Sequence, residues 1–441
     1  MSEGEGEKFK GSGTLENINM LDKIKRLTDT EDKRRLLSNF MSLSVLQGAN
    51  YVLPLITLPY LVRVLGPEKY GLIAFAQAFI QYFNILTDYG FNLSATREIS
   101  IHRNNAQRVS EIFSSVMIIK LGLLVLSFVI MSILVFSFWK FRQDWLIYYL
   151  TFGMVVGQVL FPVWFFQGME RMMYITFLNI TAKLIFTIAI FVFIRQASDY
   201  IYVPLLNLFG YLVAGALALW IVFRDFKITF KVPSYSSLIH QLKEGSIMFV
   251  STVAISLYTT SNVFLLGLFT NNVIVGFYSA AEKIVKALQG LWTPFSQAIY
   301  PIFSKLYYEN RTKAQYMLKK ILLYTGLITL AISLTGCIFA PFIIKVFFGE
   351  AFTPSVNIMQ ILVFIVFLIG INNVLGIQGL VAFGFAKEFT LTVIIASIAH
   401  LILLIIFIPV FKGVGVAIAT IATETIIIFI EIIFLKRRKI I

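Results

Sequence analysis

Two helix-length segments of the sequence carry polar side chains at positions that one face of a helix would share. The first segment has, at spacings of i, i+4, i+7, i+11 and i+15, the residues Gln77, Gln81, Asn84, Asp88 and Asn92. The second has, at the same five spacings, Glu282, Lys286, Gln289, Thr293 and Gln297. Because side chains at these intervals lie on one side of an α-helix, each set forms a polar stripe. We call them the first stripe and the second stripe.

Both stripes lie on apolar segments, where polar groups are costly unless they face a bundle interior or a wet cavity. Hydrogen bonding between helices would satisfy them equally well. We favour a shared lumen, because the stripes match and the second one is charged. Glu282 and Lys286 are four residues apart with the acid first, so a local salt bridge is the competing interpretation. Lys283 has no such partner on its own face, and excess positive charge in a low dielectric would hold a phosphate or pyrophosphate.

Further charges fall within other apolar segments. Lys120 lies about two turns inside its segment, so snorkelling to the membrane surface and exposure to the lumen are both consistent with its place. Lys183 lies inside the fifth apolar segment, and we assign it to the lumen. Glu424 is a candidate for proton coupling. Glu431 is close to the basic tail at residues 436–439 and is expected to pair with it.

Motifs of enzymatic catalysis and of metal binding are missing from the sequence. The three histidines, His102, His240 and His400, are far apart, and Cys337 is the one cysteine, so no metal cluster is expected. No phosphate-binding loop, nucleophile elbow or HExxH motif occurs. We therefore predict a protein that is not an enzyme and that has no metal and no cofactor.

Long apolar segments position these residues. Hydrophobic residues make up 58% of the 441 residues and charged residues 14%. A soluble domain could not bury that much apolar surface. A membrane-spanning helix needs about twenty mostly apolar residues. Such runs occur near 41–65, 72–94, 112–138, 145–168, 172–194, 200–223, 246–269, 273–304, 321–347, 355–382, 389–410 and 414–435. The sequence predicts an all-α integral membrane protein of about twelve transmembrane helices.

The basic residues predict the orientation of these helices. If each span crosses once, 26 of the 37 Lys and Arg residues lie on the side of both termini and seven on the other. Since cytoplasmic loops are enriched in Lys and Arg, both termini are expected in the cytoplasm. This topology also accounts for the net charge of +14, and the basic residues are too scattered for nucleic-acid binding.

The chain is predicted to contain two related six-helix bundles. A shift of 205 residues superposes residues 70–92 on 275–297, with Gly71 on Gly276 and Ala76 on Ala281. Six spans per half is an even number, so the halves should be parallel repeats. The predicted divisions are a cytoplasmic segment at 1–40 without stable structure at its start, a first half at 41–223, a linker at 224–245, a second half at 246–435 and a basic tail at 436–441.

Several long strings resemble the Wzx-type polysaccharide repeat-unit flippases of the multidrug/oligosaccharidyl-lipid/polysaccharide exporter (MOP) superfamily, which also contains the MATE transporters. They are LPLITLPYLVRVLGPEKYGLIAFAQAF, DYGFNLSATREIS, WFFQGME, YTTSNVFLLGLFTNNVIVGFYSAAEKIVKAL and QAIYPIFSK, and the likeness extends over about residues 40–436. The resemblance implies a bacterial inner-membrane protein that moves undecaprenyl-pyrophosphate-linked oligosaccharide, such as O-antigen units, from the cytoplasmic to the periplasmic leaflet. It also implies alternating access driven by a proton or sodium gradient. Expected partners are the lipid-linked glycan, membrane lipid and the polysaccharide polymerase with its chain-length machinery, and no nucleic acid.

By their positions in the matching strings, three more residues become candidates. Arg63 ends the first span and is assigned to the lumen, although an interfacial anchor is the simpler interpretation. Arg97 and Glu98 lie at the cytoplasmic exit of the second span and are assigned to gating. A solvated surface pair, which would contribute little, is the simpler interpretation for both.

Two other functions compete with this one. A multidrug or cation antiporter would share the bundles but would need unpaired acidic groups in its lumen. The charges within spans are evenly divided between lysines and acids, so the choice depends on which of them face the lumen. A membrane-embedded polymerase or ligase would need a sizeable periplasmic loop for catalysis, and the predicted periplasmic connections are all short.

Overall fold

The structure is a computed structural model that describes residues 31–290 and 292–441. Residues 1–30 of the predicted cytoplasmic segment at 1–40 lie outside it. Within the described ranges, the side chains at 31–37, 40, 51, 247, 251, 254, 255, 257, 258, 293–295, 297 and 298 also lie outside the description, so two members of the second stripe, Thr293 and Gln297, do so too.

The described chain is helical, and no strand occurs within residues 31–290 and 292–441. In chain order the helices are α1 (Glu31–Asp88), α2 (Phe91–His102), α3 (Ala106–Ser137), α4 (Trp139–Arg142), α5 (Trp145–Leu160), α6 (Val163–Gly168), α7 (Met172–Phe193), α8 (Tyr202–Asp225), α9 (Tyr235–Phe269), α10 (Asn272–Gly290), α11 (Trp292–Glu309), α12 (Arg311–Phe348), α13 (Ser355–Leu362), α14 (Phe364–Asn372) and α15 (Ala386–Arg437). A π-helix, Asn373–Val381, continues α14, and 3₁₀ turns lie at Ala197–Ile201 and Glu350–Phe352.

Two helices contain a break that divides each into two membrane crossings. In α1 the break is at Gly66 (φ 68, ψ 175). Glycine adopts this positive φ readily because glycine has no Cβ atom. In α15 it is at Lys412 (φ 54, ψ −128), where a residue with a side chain seldom adopts positive φ. Counted this way, with α2 continuing the second crossing of α1, with α5–α6, α10–α11 and α13–α14 as one crossing each and with the four-residue α4 left out, the described residues form twelve long helical segments, as predicted.

Eight stretches of the described residues are long and apolar enough by themselves to cross a membrane. The boundaries differ from the predicted ones mainly where a polar residue caps a helix beyond the apolar run. Ser234 accepts a hydrogen bond from the backbone N–H of Ser237 at 3.2 Å, so α9 begins inside the predicted linker. Asn310 does the same for Lys313 at 2.9 Å, so α12 begins well before residue 321.

The two halves approach each other closely through two glycines that the 205-residue shift superposes. A Cβ atom added at Gly71 in α1 would lie 1.8 Å from the carbonyl oxygen of Asn272. One added at Gly276 in α10 would lie 2.1 Å from the carbonyl oxygen of Pro67. The backbones of α1 and α10 are therefore in contact near Gly71 and Gly276, and any larger residue at either position would push the halves apart.

Candidate functional site

A cavity of about 670 Å³ lies inside the first half and is closed on one side by α10 of the second half. Its wall comes mainly from α1, α5, α7 and α8. The Gly66 break directs α1 so that both of its crossings contribute: Asn50 and Thr57 precede the break and Gln77 follows it.

The charge on the cavity wall is positive. Three lysines line it, Lys183 from α7 with Lys283 and Lys286 from α10, and no carboxylate is among the described lining residues. The Lys183 ammonium donates a hydrogen bond to the side-chain oxygen of Asn50, a neutral partner. Lys183 and Lys283 lie close enough for their charges to repel. Lys286 differs, because its Nζ lies 3.0 Å from Oε1 of Glu282.

Amide side chains supply most of the remaining polarity of the wall. They are Asn50, Gln77, Gln158, Asn179 and Asn207. Asn179 donates to the carbonyl oxygen of Ile175 at 2.9 Å. Of these five amides, only Gln77 was predicted. The others are single polar residues in apolar spans, and the signal that could have revealed one of them is the i, i+4 spacing of Asn179 and Lys183.

The first stripe divides between the cavity and the protein interior. Gln77 lines the cavity, whereas Gln81 accepts a hydrogen bond from Asn84 at 3.1 Å. Asp88 is buried, and its Oδ1 lies 3.8 Å from Nζ of Lys120 in α3. Lys120 is 2% exposed, so it neither snorkels nor lines this cavity. Residues of one polar stripe can thus line the cavity in one turn of the helix and contact a neighbouring helix in another turn.

The buried pair predicts a specific stability pattern. Asp88→Asn and Lys120→Met should each lower the free energy of unfolding by about 3–5 kcal/mol, because each leaves an uncompensated charge in the interior. The double variant should recover most of that loss. Thermal unfolding in detergent across the four proteins measures the coupling, and additive losses would contradict the pairing.

The second stripe divides in the same way. Glu282 is buried and accepts a hydrogen bond from the Tyr278 hydroxyl at 3.4 Å, in addition to its pair with Lys286. The expected local salt bridge is therefore present, and Lys286 still reaches the cavity. Neither Glu282 nor Gln289 is among the described residues of the wall.

The acids of the last span lie apart from the cavity wall. Glu424 is 4% exposed and accepts a hydrogen bond from the side chain of Asn372. The expected pairing of Glu431 with the basic tail is wrong. Arg438 of the tail pairs with Glu388, and Glu431 is fully buried beneath Gly376 of the π-helix. The helix carries Glu431 inward, away from the surface that the tail occupies.

At one end of the cavity, basic residues of the first half bind the carbonyl ends of helices in the second half. Arg63 donates to the carbonyl oxygens of Val346 and Phe347 at the end of α12, and it does not line the cavity. Lys140 donates to carbonyl oxygens at the end of α9, including that of Thr270 at 2.6 Å. Helix C-termini attract cations because their carbonyl groups are unpaired and their dipole is negative there. Burial lowers the pKa of the Lys140 ammonium from its ordinary value.

At the other end, a polar network joins α2 and α3 to the start of α9. Glu98 accepts a hydrogen bond from Gln241 and lies 3.4 Å from Arg108 and 3.6 Å from His240. Glu111 accepts from Ser237 at 2.6 Å and from Arg108 at 2.8 Å. We call these six residues the Glu98 cluster. The exposed Arg97 beside it makes no ion pair with a described residue, so the two predicted gate residues have different surroundings.

The polysaccharide biosynthesis protein family has a model that matches residues 36–307, more than half of the chain. The chain belongs to this family. One relative, named "Putative O-antigen transporter" in Escherichia coli strain K12, is 34% identical over 408 residues, covering 92% of this chain and 98% of the relative. A protein of the same name in Shigella dysenteriae is 27% identical and covers 88% of this chain and 97% of the relative.

Solved structures of two transporters share the fold of this family member. The inward closed conformation of the lipid II flippase MurJ aligns with a TM-score of 0.70 at 14% identity, over 91% of this chain and 87% of that one. An inward-facing MATE multidrug transporter of the MOP superfamily aligns with a TM-score of 0.65 at 15% identity, over 91% and 98%. The predicted MOP-type membrane fold and the resemblance to polysaccharide transporters are confirmed. The relatives are transporters and not enzymes.

Proposed function

We propose that this protein is a flippase for undecaprenyl-pyrophosphate-linked oligosaccharide, the repeat unit of O-antigen or a related surface polysaccharide. The observation that carries the proposal is the cavity, which presents three lysines and five amides and no described carboxylate. Ammonium groups bind diphosphate oxygens, and amides exchange hydrogen bonds with sugar hydroxyl groups. The names of the relatives support the choice of cargo.

The two ends of the cavity supply the parts that alternating access requires. Two sets of contacts join the halves outside the cavity wall, one through Arg63 and Lys140 and the other through the Glu98 cluster, and we assign each set to the closure of one end. If one set of contacts breaks while the other set remains, the cavity is exposed to one side of the membrane at a time. We place the protein in the bacterial inner membrane with both termini in the cytoplasm, so that the Glu98 cluster closes the cytoplasmic end.

A multidrug or cation antiporter is the competing proposal, and the cavity charge disfavours it. A cationic drug would meet the uncompensated charges of Lys183 and Lys283 without a described acidic group on the wall. At about 4 Å, two like charges repel by about 4 kcal/mol at an effective dielectric constant of 20. The acids that such an antiporter needs lie elsewhere in the described chain.

Translocation in reconstituted vesicles tests the proposal. We expect the purified protein to move a fluorescent polyprenyl-pyrophosphate oligosaccharide between leaflets at a rate well above that of protein-free vesicles. We expect no uptake of a cationic dye under the same ion gradients. Dye transport without lipid translocation would replace this proposal with the antiporter.

Ion coupling is the less constrained part of the proposal, and we assign it to Glu424. Its buried carboxyl group, held by Asn372, is placed where a bound or released proton would alter packing between α14 and α15. Glu424→Gln should keep the fold and reduce the stimulation of transport by a proton gradient. A variant that responds to proton and sodium gradients like the parent protein would remove Glu424 from the mechanism.

A further inference from the structure

The charges on the cavity wall can be counted against those of a lipid-linked diphosphate. Glu282 neutralises Lys286 at 3.0 Å, which leaves Lys183 and Lys283 as the uncompensated cations of the described wall. A diphosphate that is esterified at both ends keeps one ionised oxygen on each phosphorus. Two positive charges therefore face two negative charges, and the balance is complete before any sugar is considered.

Lys286 is not available to balance a third negative charge. Glu282 is buried, it pairs with Lys286 and accepts a hydrogen bond from the Tyr278 hydroxyl, and its charge also acts on Lys283. Drawing the half-exposed Lys286 away to an acidic sugar would leave the Glu282 carboxylate to take its counter-charge from Lys283. No additional positive charge becomes available in this way, and the buried carboxylate loses its paired cation, which is unfavourable.

The part of the wall that α5 and α8 form is suited to uncharged sugars. Helices α5 and α8 contribute Gln158, Asn207 and Tyr211 and no charged residue to the described wall. Gln158 and Asn207 line the cavity and make no hydrogen bond to another described residue, so their donors and acceptors are free for a ligand. Tyr211, with Phe161 and Phe186, offers ring surface for the apolar faces of sugar rings.

We infer that the glycan accepted by this cavity carries no net charge. This inference rests on the proposed function and narrows its substrate class to neutral repeat units. A carboxylate on the sugar would enter a site whose cations are already matched and would lose water without gaining a counter-charge. The specificity-determining residues are then the neutral amides Gln158 and Asn207, and a cation placed among them should change the preference.

Binding to the full-length protein in nanodiscs tests the inference with two matched ligands. Both are polyprenyl-pyrophosphate trisaccharides, one ending in glucose and the other in glucuronic acid, so that they differ by a hydroxymethyl and a carboxylate group. We expect the neutral ligand to bind about tenfold more tightly. Gln158→Lys should reduce or reverse that ratio. Thr312→Lys, which adds the same charge at an exposed site on α12, should leave it unchanged.

The outcomes separate this inference from the proposed function. Equal or tighter binding of the acidic ligand by the parent protein would overturn the inference while leaving a diphosphate-lipid flippase in place. Equal changes in the ratio for Gln158→Lys and Thr312→Lys would also overturn it, because the effect would then come from net charge alone. Failure of both ligands and of the sugar-free polyprenyl pyrophosphate to bind would overturn the proposed function itself.

Discussion

Replacing Lys183 and Lys283 together by glutamine should nearly abolish translocation of the lipid-linked oligosaccharide. These are the uncompensated cations of the described cavity wall, and they lie on opposite halves. A hydrogen bond to a charged group contributes about 1.5–3 kcal/mol, so losing two should lower the rate by about a hundredfold or more. The measurement is the initial translocation rate in vesicles that contain equal amounts of each protein.

The control for this prediction concerns Lys286, whose charge is already compensated by Glu282, and it is the variant in which both residues are replaced. Lys286→Ala should impair transport, because it leaves the buried carboxylate of Glu282 without its paired cation and removes a lysine from the cavity wall. Combining Lys286→Met with Glu282→Leu removes the pair as a unit and should restore most of the activity. The Lys286→Met/Glu282→Leu variant keeps the net charge, so if it were as inactive as the Lys183 and Lys283 double variant, Lys286 itself would be part of the diphosphate site. Normal transport by the Lys183→Gln/Lys283→Gln variant would refute the diphosphate site.

The elements of this fold could largely be predicted from the sequence, because membrane helices are long and apolar. The polar stripes also identified parts of the cavity, since Gln77, Lys283 and Lys286 do line it. Helical periodicity fixes the direction of a side chain about its own axis and not the depth at which a neighbouring helix covers it. Asp88 therefore shares a face with Gln77 and yet pairs with Lys120 in the interior.

Other parts of the site depend on tertiary contacts that leave no sequence pattern. Arg63 binds backbone carbonyl groups of α12, and any sequence there would present the same groups. Gln158 and Asn207 come from separate helices and reach one wall because α5 and α8 pack side by side. The contact between Gly71 and Gly276 could be predicted only in part. The repeat predicts that the two positions are equivalent, and the structure shows that they are in contact.

Weakening the Glu98 cluster should shift the protein toward a state that is open at that end. Glu98→Ala removes the acceptor for Gln241 of α9, a contact that exists only while the halves are together, and it also removes a charge beside Arg108 of its own half. Losing about 1.4 kcal/mol of closure free energy changes the open population by about tenfold. In a Cys337→Ser background with Gln77→Cys as reporter, an impermeant maleimide should label the cavity about tenfold faster from the cytoplasmic side.

The neighbouring residue offers a matched control. Arg97 is exposed and makes no ion pair with a described residue, so Arg97→Ala should leave the labelling rate unchanged. Arg63→Ala releases the contacts at the other end of the cavity and should accelerate labelling from the periplasmic side instead. Opposite responses of the two ends would also fix the orientation of the chain. If Glu98→Ala labelled like Arg97→Ala from both sides, the Glu98 cluster would be a static contact, and closure would depend on the close approach of Gly90 to the backbone of Gly245 and Phe249.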